Sequence, residues 1–102
     1  MILNNAVINF ATVADQTVVS AVAGKQIKVY ALNMTPGGTT TVTPKDGATA
    51  LTGAITIVAG IPFILNASAN GDPWFVTSSG NAFVINNSVA VQVSGSCRYE
   101  IT

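Results

Sequence analysis

Apolar positions in this chain recur at every second residue, most clearly in the last segment. Val91, Val93, Gly95, Cys97, Tyr99 and Ile101 share one parity, while Gln92, Ser94, Ser96, Arg98, Glu100 and Thr102 share the other. A period of two is that of a strand with one face in a core and the other against water or a polar neighbour. Gly95 falls on the apolar parity, where a glycine marks a bend or the close approach of another backbone. A second run, "ALTGAITIVAGIPFIL", keeps Leu51, Ile55, Ile57, Ala59, Ile61, Phe63 and Leu65 on one parity. It is uncharged, but it is shorter than the roughly 20 residues of a membrane helix, and Gly53, Gly60 and Pro62 interrupt it. It therefore predicts buried strand. No segment has a helical period, and Val, Ile and Thr outweigh the helix formers. Turn signals recur at 14–15, 23–24, 36–38, 45–47, 59–60, 70–73, 79–81 and 86–87. Between them, strands are predicted at 6–13, 17–23, 26–34, 39–44, 55–59, 63–66, 74–77, 82–85 and 90–101. The expected fold is all-β: a single antiparallel two-sheet β-sandwich, jelly-roll-like, over residues 1–102, with 1–5 as a candidate N-terminal arm.

Three places break the alternation and become candidate contact sites. In the third strand Ile27, Val29 and Ala31 form one face and Tyr30, Leu32 and Met34 the other, so both faces are apolar from 29 to 32. Such a strand is either central and covered on both sides or part of an interface. Trp74 and Phe75 follow the turn "NGDP". Adjacent strand residues point to opposite faces, so one belongs to the core and the other to an interface or binding surface. Met1, Ile2 and Leu3 precede the first strand, and either reach a partner or fold into their own sheet. The candidate interface set is therefore Met1, Ile2, Leu3, Tyr30, Leu32, Met34, Trp74 and Phe75.

Charge narrows the function classes. Only 8% of the 102 residues are charged and the net charge is zero, against about 25% charged residues in a typical domain. Lys25, Lys28, Lys45 and Arg98 are too few and too scattered to neutralise phosphates or to hold a basic face on a membrane, so neither nucleic acid nor membrane is an expected partner. A neutral chain this poor in charge has low colloidal stability alone, and its surface is expected to be partly covered. Histidine is absent, which removes any nucleophile–histidine arrangement. Cys97 is solitary and reads as a small buried hydrophobe. Asp15, Asp46 and Asp72 stand in turn contexts, where carboxylates cap the local backbone. No metal, cofactor or catalytic set is expected, and the protein reads as a non-enzyme.

Three stretches carry a resemblance: "VVSAVAGKQIKVYAL", "DGATALTGAITIVAGIPF" and "DPWFVTSSGNAFVINNSVAVQVSGSCRYE". Their successive elements are an Ala-Gly-Lys turn into a strand, an "LTG" segment, an aromatic pair followed by T-x-x-G-x-A-F, and a closing V-x-V-S-G-x-x-x-Y strand. From about Asn4 onward the chain resembles small β-sandwich head decoration, or cement, proteins of tailed bacteriophages. The resemblance implies a structural protein on the outer surface of the virion capsid. It would act as a homotrimer that reinforces contacts between major capsid protein subunits. The alternative it leaves is a virion fibre or receptor-binding module that contacts host surface sugars.

Overall fold

The computed structural model describes residues 2–102. Met1, one of the candidate contacts, lies outside the described residues. Ten strands follow one another: β1 (Asn4–Phe10), β2 (Ala14–Val19), β3 (Ile27–Pro36), β4 (Thr40–Asp46), β5 (Thr49–Ala50), β6 (Ile55–Ile57), β7 (Phe63–Leu65), β8 (Phe75–Val76), β9 (Phe83–Asn87) and β10 (Val93–Ile101). Among the described residues there is no helix. All pairings are antiparallel. One sheet runs β1-β10-β3, and β7 and β8 share the far side of β3. The other runs β2-β9-β4, and β5 and β6 share the far side of β4. Each sheet is thus four positions wide, and its last position is an edge strand broken in two. This order, with the chain passing between sheets at the β1–β2, β2–β3, β3–β4, β6–β7, β8–β9 and β9–β10 links, is that of a double-sheet jelly roll. The strand β5 was not anticipated from sequence. It is two residues long and exists because the turn at Asp46–Gly47 folds Thr49 and Ala50 back onto β4.

The inward faces meet in one core. Ile8, Ile27, Val29, Leu32, Met34, Val93 and Cys97 come from the first sheet, and Val19, Val42, Ile57, Phe83 and Ile85 from the second. Phe75 and Phe83 join the layers with ring centroids 6.0 Å apart and planes inclined by 23°. Strand β10 follows its parity: Val93 and Cys97 are buried, and Tyr99 and Ile101 pack against the core from its margin. A Cβ at Gly95 would collide with the carbonyl of Asn33 on β3, so this glycine marks a close approach of backbones.

The two-faced apolar stretch of β3 has a local cause. Arg98 pairs with Ala31 but Tyr99 pairs with Val29, so Tyr30 is an extra residue with no partner on β10. Such a β-bulge shifts the side-chain parity of the bulged strand by one. Before it, Ile27 and Val29 face the core; after it, Leu32, Met34 and Pro36 do. Leu32 and Met34 are therefore core residues, 2% and 0% exposed. Their expected interface role is corrected: the sequence pattern that suggested it records the bulge.

The run from Leu51 to Leu65 divides at the expected 59–60 turn into two strands, β6 and β7, which lie in different sheets and are joined by a turn in which Gly60 takes φ 73°. The expectation that its whole apolar parity is buried is corrected. Ala59 and Ile61 keep the parity but lie in the turn, and Ile61 is 58% exposed.

Two measurements check this packing. Phe83→Ala removes a fully buried ring at the contact between the sheets and should destabilise the domain by about 3–5 kcal/mol in urea unfolding. The Cys97 thiol is pushed up to about 11 by burial, so thiol reagents at pH 8 should label it only after unfolding.

Candidate functional site

The expected contact residues are dispersed. Ile2 is 86% exposed and Leu3 half-buried, ahead of β1. Asn4 and Asn5 already pair with Tyr99 and Arg98, so among the described residues only Ile2 and Leu3 precede the sheet. Tyr30 is buried at the bulge, with its hydroxyl donating to Glu100 Oε1 at 3.3 Å. Loss of solvent, together with the nearby Glu100 and Asp72 carboxylates, pushes the Tyr30 phenol above its ordinary range. Tyr30 is thus fixed inside the chain and offers no free interface, which corrects a third expected contact. Phe75 takes the core position and Trp74, 49% exposed, the outward one. Ile2 lies beside β1 at one edge of the first sheet and Trp74 beside β8 at the other, so the structure does not bring them together.

None of the three aspartates follows the turn-cap expectation: among the described residues the bonds of the 66–74 loop leave the Asp72 carboxylate without a donor, and the other two reach remote partners. Asp15 lies within β2 and joins neighbouring strands: Lys45 Nζ and Asn86 Nδ2 each donate to it at 2.8 Å. Asp46 reaches across to the loop before β9, accepting from Ser78 N at 3.0 Å, Ser78 Oγ at 2.8 Å and Asn81 Nδ2 at 2.9 Å. In the same region Thr77 Oγ1 accepts from Ile27 N at 2.9 Å, Gly80 N donates to Lys25 O, and Gly47 N donates to Ala82 O. The "DG" and T-x-x-G-x-A-F motifs are therefore the two halves of a latch that closes one end of the sandwich. Among the described residues no group of three or more His, Cys, Asp or Glu side chains is placed to hold a metal ion.

The opposite end has a different character. The registers Phe10–Val93–Pro36, Ala14–Asn87–Val42, Thr40–Ile57 and Met34–Phe63 bring four connections to this end: 11–13, 37–39, 58–62 and 88–92. None contains a charged residue. They carry Val13, Val58, Ile61 and Val89, which are 60%, 47%, 58% and 43% exposed. Their backbones are tied together. Gly37 N donates to Gln92 O and Gly60 N to Pro36 O, each at 2.7 Å, and Ala59 N donates to Thr39 Oγ1 at 3.2 Å. Asn87 is fully buried beneath them. Its Oδ1 accepts from Thr40 Oγ1 at 2.8 Å, and its Nδ2 donates to Thr12 O at 3.2 Å and Val91 O at 3.4 Å. Gly38 sits so close to Val91 that a Cβ would lie 2.6 Å from its Cγ1.

This apolar end was not anticipated as a site. Its signal was present: "ATVAD", "IVAGIPF" and "NNSVAVQ" place β-branched residues in turns, where polar and flexible residues predominate.

These hydrogen bonds have measurable consequences. Asn87→Leu leaves two carbonyls and a buried hydroxyl without their partner and should destabilise the domain by about 2–3 kcal/mol. The Asp15 carboxyl is held below its ordinary value of 3.8 by the Lys45 and Asn86 hydrogen bonds. At Asp46 burial acts upward, but the bonds from Asn81 and Ser78 outweigh it and leave the carboxyl lowered too. A carboxylate with a depressed folded pKa stabilises fully above the unfolded value and loses that contribution as pH falls through the folded one. Stability should therefore be flat near neutrality and fall only below about pH 4, and the Asp46→Asn variant should show a shallower fall in acid unfolding. Comparison with family models, with curated proteins and with solved structures finds no match to this chain, so its residues and geometry carry the functional reading.

Proposed function

We propose that this protein is a bacteriophage capsid decoration protein whose apolar end docks on the outside of the head and reinforces contacts between major capsid protein subunits. One observation carries this reading: an uncharged, aliphatic end whose four loops are held by hydrogen bonds to one another, to Pro36 or to the buried Asn87. Exposed aliphatic side chains grouped on a rigid, neutral surface are the usual mark of a protein contact. Because the loop backbones are already paired, docking desolvates mainly hydrocarbon and immobilises little. The resemblance of the three quoted stretches to phage decoration proteins supports the same assignment, as does the scarcity of charge.

Self-association as a homotrimer forms part of the proposal. Strand β1 is an edge of seven residues without a bulge, with Val7 70% exposed on it and Ile2 beside it. The β7/β8 and β5/β6 edges are interrupted, and β2 carries a register shift near Val18. An open edge of this length favours coverage by another chain, and closed rotational symmetry covers it without forming filaments.

Ile61→Asp and Val89→Asp place charges on exposed loop positions and should leave folding intact. Together they should weaken attachment to heads lacking the protein by at least about 2 kcal/mol, the scale of an interface hot spot. Val7→Lys should lower the mass measured by sedimentation without abolishing folding. Added salt should change attachment little, because few charges are present to screen. Particles with the protein should resist heat better than particles without it. Undiminished attachment of the double Asp variant would remove the apolar end from the reading, and unchanged particle stability would remove reinforcement.

A further inference from the structure

We propose that the loop at residues 66–74 forms a binding site for a neutral saccharide, with the Trp74 indole as its stacking platform and Asp72 and Asn66 as its hydrogen-bonding groups. The site is an addition to the sandwich. β7 pairs with β3 at Leu32–Met34 and β8 pairs with it at Lys28–Val29, so the edge would be continuous but for this loop. The chain leaves the sheet after Leu65, turns at Gly71 with φ 76°, and returns at Trp74, whose N–H donates to Val29 O at 2.7 Å. The indole Nε1 donates to Asn66 O at 2.6 Å, so the two ends of the loop are joined through the ring itself. The ring is half-exposed and yet fixed. Closing the loop alone does not require a tryptophan that stays half-exposed.

Beside the ring lies an open cavity of about 470 Å³, lined by Asn66, Ala67, Ser68, Asp72, Pro73 and Trp74. That volume is within the roughly 300–1,000 Å³ of small-ligand sites, and an apolar wall with a few convergent polar groups is their usual composition. Ser68 is engaged with its own turn through Asn70 N. Among the described residues, by contrast, no side chain donates to the Asp72 carboxylate, and the Asn66 amide is likewise unengaged. Trp74 uses only the Asn66 carbonyl.

This set selects the ligand class. A pyranose offers a C–H face to an indole and hydroxyls that donate to a carboxylate and exchange hydrogen bonds with an amide. An anionic ligand, including a nucleotide, would meet Asp72 with no Lys or Arg lining the cavity. A quaternary ammonium ligand is recognised by a cage of several aromatic rings, and a single ring lines this cavity. The site lies on an edge of the first sheet, away from the apolar end, and does not depend on what that end contacts.

Trp74 is the chain's only tryptophan, so its emission reports this site alone. The isolated protein is titrated with neutral disaccharides (cellobiose, maltose, lactose and N,N′-diacetylchitobiose) into the high-millimolar range and applied to an array of neutral glycans. At least one class should give a saturable change in emission. Asp72→Ala should weaken that binding about tenfold, the effect of losing one hydrogen bond to a charged group. This variant disturbs no internal bond. Trp74→Ala should abolish binding in calorimetry. Three results would overturn the proposal: no saturable response to any glycan, an affinity unchanged in both Asp72→Ala and Asn66→Ala, or a response to choline chloride in place of saccharide.

Discussion

The bulge at Tyr30 is the constraint on which the arrangement of the first sheet depends. β3 is the only strand that touches both β10 and the broken edge of β7 and β8. By carrying one extra residue it switches which parity faces the core midway along its length. That switch lets Ile27 and Val29 pack beneath one half of the sandwich and Leu32 and Met34 beneath the other. The extra residue also has a consequence on the other side of β3. The edge pairs up to Leu32, leaves, and resumes at Val29, so Tyr30 and Ala31 face the segment where the chain departs from the sheet. Bulges bend a strand and increase its twist, and an edge strand that cannot follow has to break. The 66–74 loop and the half-exposed Trp74 occupy that break. The Tyr30 phenol is tied back to β10 through its hydrogen bond to Glu100.

Hydrogen bonds that lack a cationic partner do in this chain much of what ion pairs do elsewhere. Among the described residues Lys45–Asp15 is the single ion pair, and it is partly exposed, so its contribution is small. Each end of the sandwich is closed instead by polar side chains that bond to backbone and side-chain groups of neighbouring loops and strands. Asp46 and Thr77 do this at one end, and Asn87 does it at the other. No buried side-chain nitrogen or oxygen among the described residues lacks a partner. A fully satisfied buried polar group holds loops in register, and at the Asn87 end it does so without any charge. The low charge content is therefore compatible with a well-determined fold, while it leaves the exposed aliphatic residues with few charged neighbours to keep other molecules away.

Much of this was legible in the sequence, and what was not legible depended on pairing. The β10 alternation, the burial of Cys97, the close approach at Gly95 and the division of labour between Phe75 and Trp74 follow from a period of two and from local turn chemistry. The parity switch in β3 could not be read locally. A bulge is defined by the partner strand, and the residues that define this one, Arg98 and Tyr99, lie far along the chain. Read alone, "IKVYALNM" looks like a strand with two apolar faces, which puts Leu32 and Met34 on a contact surface. The run through Ile61 misled in the opposite direction. Its parity survives across a turn, so nothing in the period indicates that the chain has crossed from one sheet to the other. The partners of Asp46 are similarly remote: carboxylate and loop meet only once both sheets have formed.

The apolar end and the Asn87 hub belong to one physical solution. Loops exposing Val13, Val58, Ile61 and Val89 would ordinarily relax to hide these side chains, because a flexible loop loses little by collapsing onto its own hydrocarbon. Here each loop is held by its neighbours: 37–39 by Gln92 and Ala59, 58–62 by Pro36, and 11–13 and 88–92 by Asn87. The glycines make the contacts tight enough for this, since Gly38 abuts Val91 where a side chain would collide. Such bracing keeps aliphatic groups in water in the free protein, at a cost of about 25 cal/mol for each square ångström left exposed. That cost is recovered when another surface covers them, and little ordering remains to oppose the association. On the docking reading proposed above, a braced end of this kind would meet a preformed, neutral surface with little further ordering to oppose it.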